Sequence, residues 1–300
     1  MSSWNDRERR AVGAYLGLAV GDALGATVEF MLPREIQAMY GVHNRIRGGG
    51  WLHLRPGQVT DDTEMSLALG EAILAHSGRI DALAIARAFD AWLRGGPIDV
   101  GNTVRRGIIN FRLHGRTTTD EDEFDAGNGA CMRTLPIALA TLGWDDASMV
   151  AASRAQAHIT HNNPLSDAGI ECVIRMVQIA LHGGGLHAMI AGPLTQLFNA
   201  FPKFDYRRAR RVENPSAYIV DTLRAVFHAF FLTDSFESCL VEVVNKGGDA
   251  DTTGAIAGMI AGAHYGVSAI PERWLKALQP EIAKHCRDQS LRLLHGRSEG

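Results

Sequence analysis

The sequence lacks the features that mark several large classes of protein. Its four cysteines are far apart and form no Cys-x-x-Cys pair, which argues against a zinc ribbon or a disulfide scaffold and favours buried, reduced thiols. No run of about 18 apolar residues is present, so no transmembrane helix is expected. The start of the chain, residues 1–10, is polar and has no apolar core of the signal-peptide type. These absences predict a cytoplasmic protein.

An excess of positive charge is also missing. Lysine and arginine number 30 against 33 aspartates and glutamates, which gives a formal net charge of −3. Because nucleic-acid binding needs a basic surface, no nucleic-acid partner is expected. Hydrophobic residues make up 46% of the 300 residues and charged residues 21%, which is typical of a folded chain with a large core.

Helical periodicity dominates, and no stretch alternates apolar and polar residues in the manner of a strand. Gly and Ala are frequent in the first and last of the helical ranges, and such small side chains let helices pack closely. The pattern predicts an all-α fold, one compact multi-helix domain over residues 1–300. Apolar residues recur three or four positions apart over 11–24, 64–75, 83–93, 132–142, 168–181, 217–232, 241–244 and 256–263.

Four longer segments interrupt these helical patterns. They are polar or rich in glycine and cover residues 33–57, 95–102, 115–129 and 202–215. Long loops in a compact domain often carry function. We therefore expect binding or catalytic residues on or beside them.

Two acidic motifs at the starts of apolar helices are the strongest chemical signal. The first is residues 60–63, TDDT, and the second is residues 247–253, GGDADTT. Hard divalent cations such as Mg²⁺ and Mn²⁺ prefer oxygen ligands of this kind. In an extended turn, residues two apart point the same way, so Asp249 and Asp251 are expected to reach one metal centre.

Helix capping is the alternative interpretation of these motifs. Aspartate and threonine are favoured at helix N-termini because they accept backbone hydrogen bonds and complement the helix dipole. Each motif, however, holds more carboxylates than a cap requires. Four carboxylates brought together without a cation would raise one another's pKa, so the pair of motifs favours a metal site.

Five segments, in this order, resemble the ADP-ribosylglycohydrolase family, whose members remove ADP-ribose from modified proteins. The resemblance implies an all-α fold with a central cleft that holds a binuclear Mg²⁺ or Mn²⁺ site. The segments are residues 17–25 (GLAVGDALG), 60–63 (TDDT), 127–133 (GNGACMR), 159–161 (ITH) and 247–252 (GGDADT).

The resemblance also implies roles for individual acidic residues. Glu29 corresponds to the family's acid beside the metals. Asp99 lies in a loop that resembles the acidic substrate-binding segment of the members that reactivate nitrogenase, and it is either a catalytic group or a turn aspartate. The residues that correspond to the metal ligands are Thr60, Asp61, Asp62, Asp249, Asp251 and Thr252.

The nucleotide-binding residues follow from the same resemblance. Asn128, Gly129 and Ala130 correspond to the loop that receives the diphosphate, and a glycine-containing loop before a helix can bind an anion through its amides. An ordinary loop is the alternative. His161 corresponds to a histidine near the nucleotide, although a lone histidine is more often structural.

Three further residues are candidate substrate contacts. Asn102 shares the loop of Asp99, and Tyr218 is a candidate for the nucleotide pocket. Glu123, within the acidic run 120–125, is either solvated or attracts a cationic arginine of the target. The basic run 206–211 matches no motif of the family and is either a solvated loop or a docking surface for an acidic partner.

The predicted activity is metal-dependent hydrolysis of the bond between ADP-ribose and an arginine of a target protein. The resemblance to the nitrogenase-reactivating members implies ADP-ribosylated dinitrogenase reductase as the target. It also implies regulation by a PII signalling protein and reversible recruitment to the membrane through an ammonium transporter. Two other functions remain open: a phosphatase or hydrolase of free ADP-ribose derivatives with the same metals, and an inactive ADP-ribose-binding module.

Overall fold

In the computed structural model of the chain, residues 4–123, 125–208 and 212–296 are described. In these ranges the regular structure is helical, apart from two isolated bridges, Gly49 with Leu54 and Gly127 with Tyr218. The prediction of an all-α fold is confirmed. The α-helices are α1 (Asp6–Gly25), α2 (Pro33–Tyr40), α3 (Asp61–Ala75), α4 (Ala82–Arg94), α5 (Asn102–His114), α6 (Leu135–Ala140), α7 (Asp146–Ala157), α8 (Pro164–Leu181), α9 (Leu186–Met189), α10 (Thr195–Ala200), α11 (Ile219–Leu232), α12 (Phe236–Val244), α13 (Ala250–Tyr265), α14 (Glu272–Ala277) and α15 (Pro280–His295).

The apolar pattern located the buried helices better than the surface helices. Helix α15 gave no clear periodicity because its buried positions include Gln289 and Ser290 beside Cys286 and Leu293. Helix α2 lies inside the segment 33–57 that was expected to be irregular. It has eight residues, of which only Ile36 is buried, so it presents too short an apolar stripe to be recognised.

Helices α1 and α13 pack against each other as the central pair of the fold. They run antiparallel, with Gly17 against Gly258 and Gly21 against Gly254. A Cβ atom added to Gly21 would lie 1.9 Å from the carbonyl oxygen of Gly254, so these backbones touch where a larger side chain would separate them. The prediction of closely packed central helices is therefore confirmed.

The central pair places two carboxylates in the interior. Asp22 lies near the end of α1 and Asp251 in the first turn of α13, and both are buried among apolar residues of the core. Because the helices are antiparallel, the C-terminal end of α1 meets the N-terminal end of α13. The first turn of α3 joins them there, and this junction is the floor of the candidate site.

The cysteines and the helix lengths agree with the expectations from the sequence. Cys131, Cys172, Cys239 and Cys286 are all buried and unpaired. Among the helices that the structure describes, none is both long enough and apolar enough to cross a membrane.

Candidate metal centre and catalytic cleft

A cavity of about 490 Å³ opens above the junction of α1, α3 and α13. Its walls come from the first turns of α3 and α13 and from loops that follow α1 and α4 or precede α6. Among the described residues, no lysine or arginine lines it. The lining carboxylates are Glu29, Asp61, Asp99, Asp249 and Asp251, so the cavity is strongly negative and attracts cations.

The two acidic motifs meet at the floor of this cavity. The hydroxyl oxygen of Thr60 lies 3.2 Å from Oδ2 of Asp62 and 3.5 Å from Oδ2 of Asp251. The hydroxyl oxygen of Thr252 lies 3.5 Å from the same oxygen of Asp62. Segments almost two hundred residues apart in the chain thus form one cluster of oxygen atoms.

Capping does not account for the acids of these motifs. Thr60 and Asp249 occupy the N-cap positions of α3 and α13, yet neither side chain accepts a hydrogen bond from its own helix. Asn5, Asp81 and Asp145, by contrast, cap their helices with side-chain hydrogen bonds. The side-chain oxygens of Thr60 and Asp249 therefore face the cluster and do not cap their helices.

The geometry of the second motif differs from the extended turn that we expected. Asp249 is the N-cap residue of α13, with φ −76° and ψ 67°, and Asp251 lies in the first helical turn. Both carboxylates still line the cavity, because an N-cap residue and the second helical residue can share one side of a helix end. The two glycines before them have φ of 68° and 64°, which only glycine adopts without strain.

Asp22 is a member of the cluster that the sequence did not single out. Its carboxylate accepts hydrogen bonds from the amides of Thr60 and Thr63, at 3.0 and 3.1 Å, and from both of their hydroxyls. Burial raises its pKa to about 6 against the opposing effect of these bonds. Asp22 therefore fixes the start of α3 to α1. In the sequence, its presence in the segment 17–25, which is otherwise made of Gly, Ala, Leu and Val, could have indicated this role.

The other acids at the floor are held in an unfavourable charged environment. Burial raises the pKa of Asp61, Asp62 and Asp251 well above the usual value, and the negative charge of neighbouring carboxylates raises it further. Oδ1 of Asp62 is buried and accepts no hydrogen bond from the described residues. Such a donor set fits a divalent cation, whose positive charge would offset both burial and mutual repulsion.

Glu29 and Asp99 reach the same cluster from two different loops. One carboxylate oxygen of each lies within 4.8 Å of the others and of an oxygen of Asp251. Burial raises the pKa of Glu29 to about 8, and the indole N–H of Trp51 donates to its Oε2 at 2.6 Å. Burial also raises the pKa of Asp99, and its Oδ1 accepts from the amide of Val100. Asp99 is thus part of the acidic cluster and also bonds to the backbone of its own loop.

The loop that begins with Asn128 contacts Asp249, one of the predicted metal ligands. The side-chain amide of Asn128 donates to Oδ2 of Asp249 at 2.6 Å and to the hydroxyl of Thr222 at 2.9 Å. Gly129 lines the cavity, whereas Ala130 is fully buried behind it. The side chain of Asn128 therefore positions Asp249.

His161 lines the cavity in its neutral form. Burial and the nearby positive charge of Arg133 lower its pKa to about 3. Its Nδ1 lies 2.8 Å from the hydroxyl of Thr160, and that hydroxyl also accepts from Arg133. Because the ring is neutral, His161 can donate or accept a hydrogen bond but cannot supply a positive charge near neutral pH.

Arg133 is a buried residue whose role the sequence did not reveal. Its guanidinium donates to the carbonyl of Gly129, to Gln156 and to Thr160, and it lies 4.5 Å from the ring centroid of Phe89. Through these bonds it ties the loop of Asn128 to the segment that carries His161. Its bonds to Gln156 and Thr160 span more than twenty residues of the chain, so no periodic signal indicates them.

The remaining predicted substrate residues are placed differently. Asn102 lines the cavity at the start of α5. Tyr218 is 36% exposed, pairs with Gly127 through a backbone bridge and accepts a hydrogen bond from Lys203. Glu123 is exposed and does not line the cavity, so the structure does not bring it to the other candidates.

The described part of the basic run is largely neutralised by an internal acid. Arg207 and Arg208 lie 2.8 and 3.1 Å from the carboxylate oxygens of Asp205, and Arg207 also stacks on the ring of Phe198. Residues 209–211 lie outside the described ranges. Whether the run is a solvated loop or a docking surface for an acidic partner stays open.

The helical fold and the acidic cleft define the class of protein. The sequence profile of the ADP-ribosylglycohydrolase family matches residues 3–299, and the chain belongs to this family. It is 52% identical over 280 residues to the ADP-ribosyl-[dinitrogen reductase] glycohydrolase of Rhodospirillum rubrum, in a match that covers 93% of this chain and 94% of the relative.

Two further comparisons agree with this family. The ADP-ribosylarginine hydrolase Tri1 of Serratia proteamaculans is 34% identical over 296 residues, which cover 93% of this chain and 78% of the relative. A solved structure described as an ADP-ribosylglycohydrolase-related protein complex superposes with a TM-score of 0.84 at 33% identity. That match covers 97% of this chain and 99% of the other.

Proposed function

We propose that the protein hydrolyses the N-glycosidic bond between ADP-ribose and an arginine of ADP-ribosylated dinitrogenase reductase, and so reactivates that enzyme. The observation that carries this proposal is the convergence of the two acidic motifs with Glu29 and Asp99 in one buried cluster. The 52% identity to the Rhodospirillum rubrum enzyme over almost the whole chain supports the choice of target.

The proposed cofactor is a pair of Mn²⁺ or Mg²⁺ ions. A divalent cation in such a site supplies positive charge that orients hydroxyl groups and makes water a better nucleophile near neutral pH. Buried carboxylates of raised pKa and hydroxyl oxygens within 3.5 Å of them support this assignment. The proposed ligands are Thr60, Asp61, Asp62, Asp249, Asp251 and Thr252.

Other residues of the cleft contribute through charge and position. Cleavage leaves positive charge on the ribose, and a carboxylate beside the sugar stabilises it. We assign this role, and acceptance of the proton of the attacking water, to Glu29 and Asp99. The arginine departs as a strongly basic guanidine that captures a proton, so the products are ADP-ribose and the unmodified side chain. The backbone of Asn128 to Ala130, with His161, Asn102 and Tyr218, is assigned to the nucleotide, and Glu123 to attraction of the target.

Release of ADP-ribose from the modified reductase tests the function directly. We expect release with Mn²⁺, loss of release with EDTA and recovery when Mn²⁺ is added back. Asp249→Asn removes a charged ligand and should lower Mn²⁺ affinity by at least about tenfold. Asp288→Asn, an exposed aspartate of α15, is the matched control and should behave as the unaltered protein.

The outcomes separate the competing functions. Full release by the metal-stripped protein would contradict the metal assignment. Turnover of free ADP-ribose derivatives without turnover of the modified protein would identify a different hydrolase. Tight binding of ADP-ribose without any turnover would identify a binding module.

Asp99→Ala tests the second acid independently of the metal. The protein should fold and bind Mn²⁺ normally, because among the described residues the Asp99 side chain loses only its local bond to Val100. Turnover should nevertheless fall. Unchanged turnover would reduce Asp99 to a turn residue.

Regulation by a PII protein and recruitment through an ammonium transporter are the remaining parts of the proposal. They rest on the resemblance of the sequence to the nitrogenase-reactivating members of the family. Copurification of a PII protein with this chain, and the appearance of the chain in the membrane fraction only when the transporter is present, are the expected results.

A further inference from the structure

Two aromatic side chains stand at the rim of the acidic cavity, close to Glu29. The rings of Phe30 and Trp51 have centroids 5.4 Å apart and planes inclined by 49°, and both line the cavity. Phe30 is 63% exposed and Trp51 is 50% exposed. Because burying such side chains is favourable, the fold forgoes stabilisation by leaving both rings this exposed.

The backbone of Phe30 is held in an unfavourable conformation. Its φ is 62°, in the left-handed region that is unfavourable for a residue with a side chain. The amide of Phe30 donates to the carbonyl of Gly248 at 2.7 Å, and the amide of Gly248 donates to the carbonyl of Met31 at 3.1 Å. The loop that leads into Asp249 therefore fixes Phe30 and Glu29, and strain of this kind is concentrated at functional sites.

Trp51 is presented by a tight turn. The three residues before it, Gly48, Gly49 and Gly50, all have φ between 67° and 79°, and Gly49 pairs with Leu54. A Cβ atom on Gly50 would lie 2.5 Å from the carbonyl oxygen of Ala26, so the turn packs directly on the end of α1. The indole ring is held at the rim while its N–H donates to Oε2 of Glu29.

The chemistry of this end of the cavity selects a flat cation. Oxygens of Glu29, Asp99 and Asp251 lie together and favour a positively charged group. A guanidinium is planar and positively charged, pairs with carboxylates and stacks on aromatic faces. Two exposed rings directly beside the carboxylates offer it both kinds of contact.

We propose that Phe30 and Trp51 form an aromatic subsite that stacks the guanidinium of the modified arginine beside Glu29. This inference rests on the proposed function and adds to it the residues that distinguish an arginine from other ADP-ribose acceptors. Trp51 has a second effect, because its indole N–H fixes the carboxylate of Glu29; in that respect it is a positioning residue.

Binding of agmatine, a small guanidine, in the presence of ADP-ribose and Mn²⁺ tests the subsite without requiring turnover. Trp51→Leu and Phe30→Leu should each raise the Kd of agmatine roughly tenfold, within the range of cation–π contacts. The Kd of ADP-ribose alone should stay within about twofold, because it carries no guanidinium. Unchanged agmatine binding in both variants would overturn the proposal, and so would an equal weakening of ADP-ribose, which would place the rings on the nucleotide.

Kinetics on an ADP-ribosylated arginine peptide separate the two effects of Trp51. Trp51→Phe retains a ring but loses the N–H, so kcat should fall while KM stays near that of the unaltered protein. Trp51→Leu should raise KM as well. A KM of Trp51→Leu equal to that of Trp51→Phe would show that the ring binds nothing and would overturn the proposal.

Leu232→Ala is the matched control for both measurements. Leu232→Ala, at a residue as exposed as Phe30 (63%) but at the end of α11, should change neither agmatine binding nor KM. If the unaltered protein releases no ADP-ribose from arginine, the proposed function fails, whereas the agmatine titration still decides the subsite.

Discussion

At the scale of single residues, burial changes the chemistry of the carboxylates in the cleft. Asp62 and Asp251 are 1% and 2% exposed, and their mutual repulsion is unfavourable unless a proton or a cation neutralises them. Protonation and metal binding therefore compete for the same oxygens. The stability of the EDTA-treated, metal-free protein should therefore change with pH in a definite direction.

Glu29 illustrates this pH dependence. Its pKa is about 8 in the folded protein, against 4.5 for a freely solvated glutamate side chain, so the folded state binds its proton more tightly. The stabilisation is fully present below pH 4.5 and is lost as pH rises through 8. Between pH 7 and pH 8, the EDTA-treated protein should lose up to about 1.4 kcal/mol for each such proton.

Urea unfolding at the two pH values measures this loss. Glu29→Gln should make the stability of the EDTA-treated protein less sensitive to pH, because one carboxyl group of raised pKa has been removed. Saturating Mn²⁺ should also reduce the sensitivity. If the EDTA-treated, unaltered protein has the same urea midpoint at pH 7 and pH 8, the expected loss of stability is contradicted.

At the scale of elements, the contact between α1 and α13 determines where the acids lie. The glycine pairs bring the two backbones together, and Asp22 and Asp251 occupy the end of this contact. Any side chain that separates the helices would also move the first turn of α3, because Asp22 holds Thr60 and Thr63. Packing and metal geometry are therefore coupled.

Gly21→Ala tests the helix contact. The new Cβ atom would lie 1.9 Å from the carbonyl oxygen of Gly254, and a backbone atom cannot rotate away. We expect a loss of about 3 kcal/mol or more in the free energy of unfolding and weaker Mn²⁺ binding, both measured on the purified variant. Gly192→Ala is the control. A Cβ atom added to this helical glycine would meet no atom of another segment within 4 Å, so stability should be unchanged or slightly higher. A Gly21→Ala protein as stable as the control would refute the close contact.

At the scale of the whole molecule, the site draws on both ends of the chain. Glu29 and the first acidic motif come from the first quarter of the sequence, and the second motif comes from the last quarter. Helix α15 also packs against α1 and α3. These contacts support the inference that residues 1–300 form one domain.

Calorimetry should therefore show a single unfolding transition that Mn²⁺ shifts as a whole. At about one hundred times Kd, one bound cation stabilises by roughly 2.7 kcal/mol, which raises Tm by about 4 °C for a chain of this size. Asp249→Asn should show a smaller shift. Two transitions, of which Mn²⁺ moves only one, would indicate more than one domain.

Local patterns in the sequence were sufficient for much of this account. The apolar periodicity of α1, α3, α8, α11 and α13 survives because each buries a continuous apolar face, and the acidic motifs are recognisable because their spacing is local. The family followed from the order of five such motifs and agrees with the match over residues 3–299. Surface helices such as α5 and α15 were missed, since their buried stripes are narrow or partly polar.

The tertiary structure decided what depends on contacts between distant segments. Asp22 with Thr60, Asn128 with Asp249, Arg133 with the His161 segment and Trp51 with Glu29 are all pairs that no local pattern connects. Short-range propensity specifies which residues form a helix and where it begins. Which carboxylate an indole or an amide reaches depends on how helices pack, and packing is a property of the assembled chain.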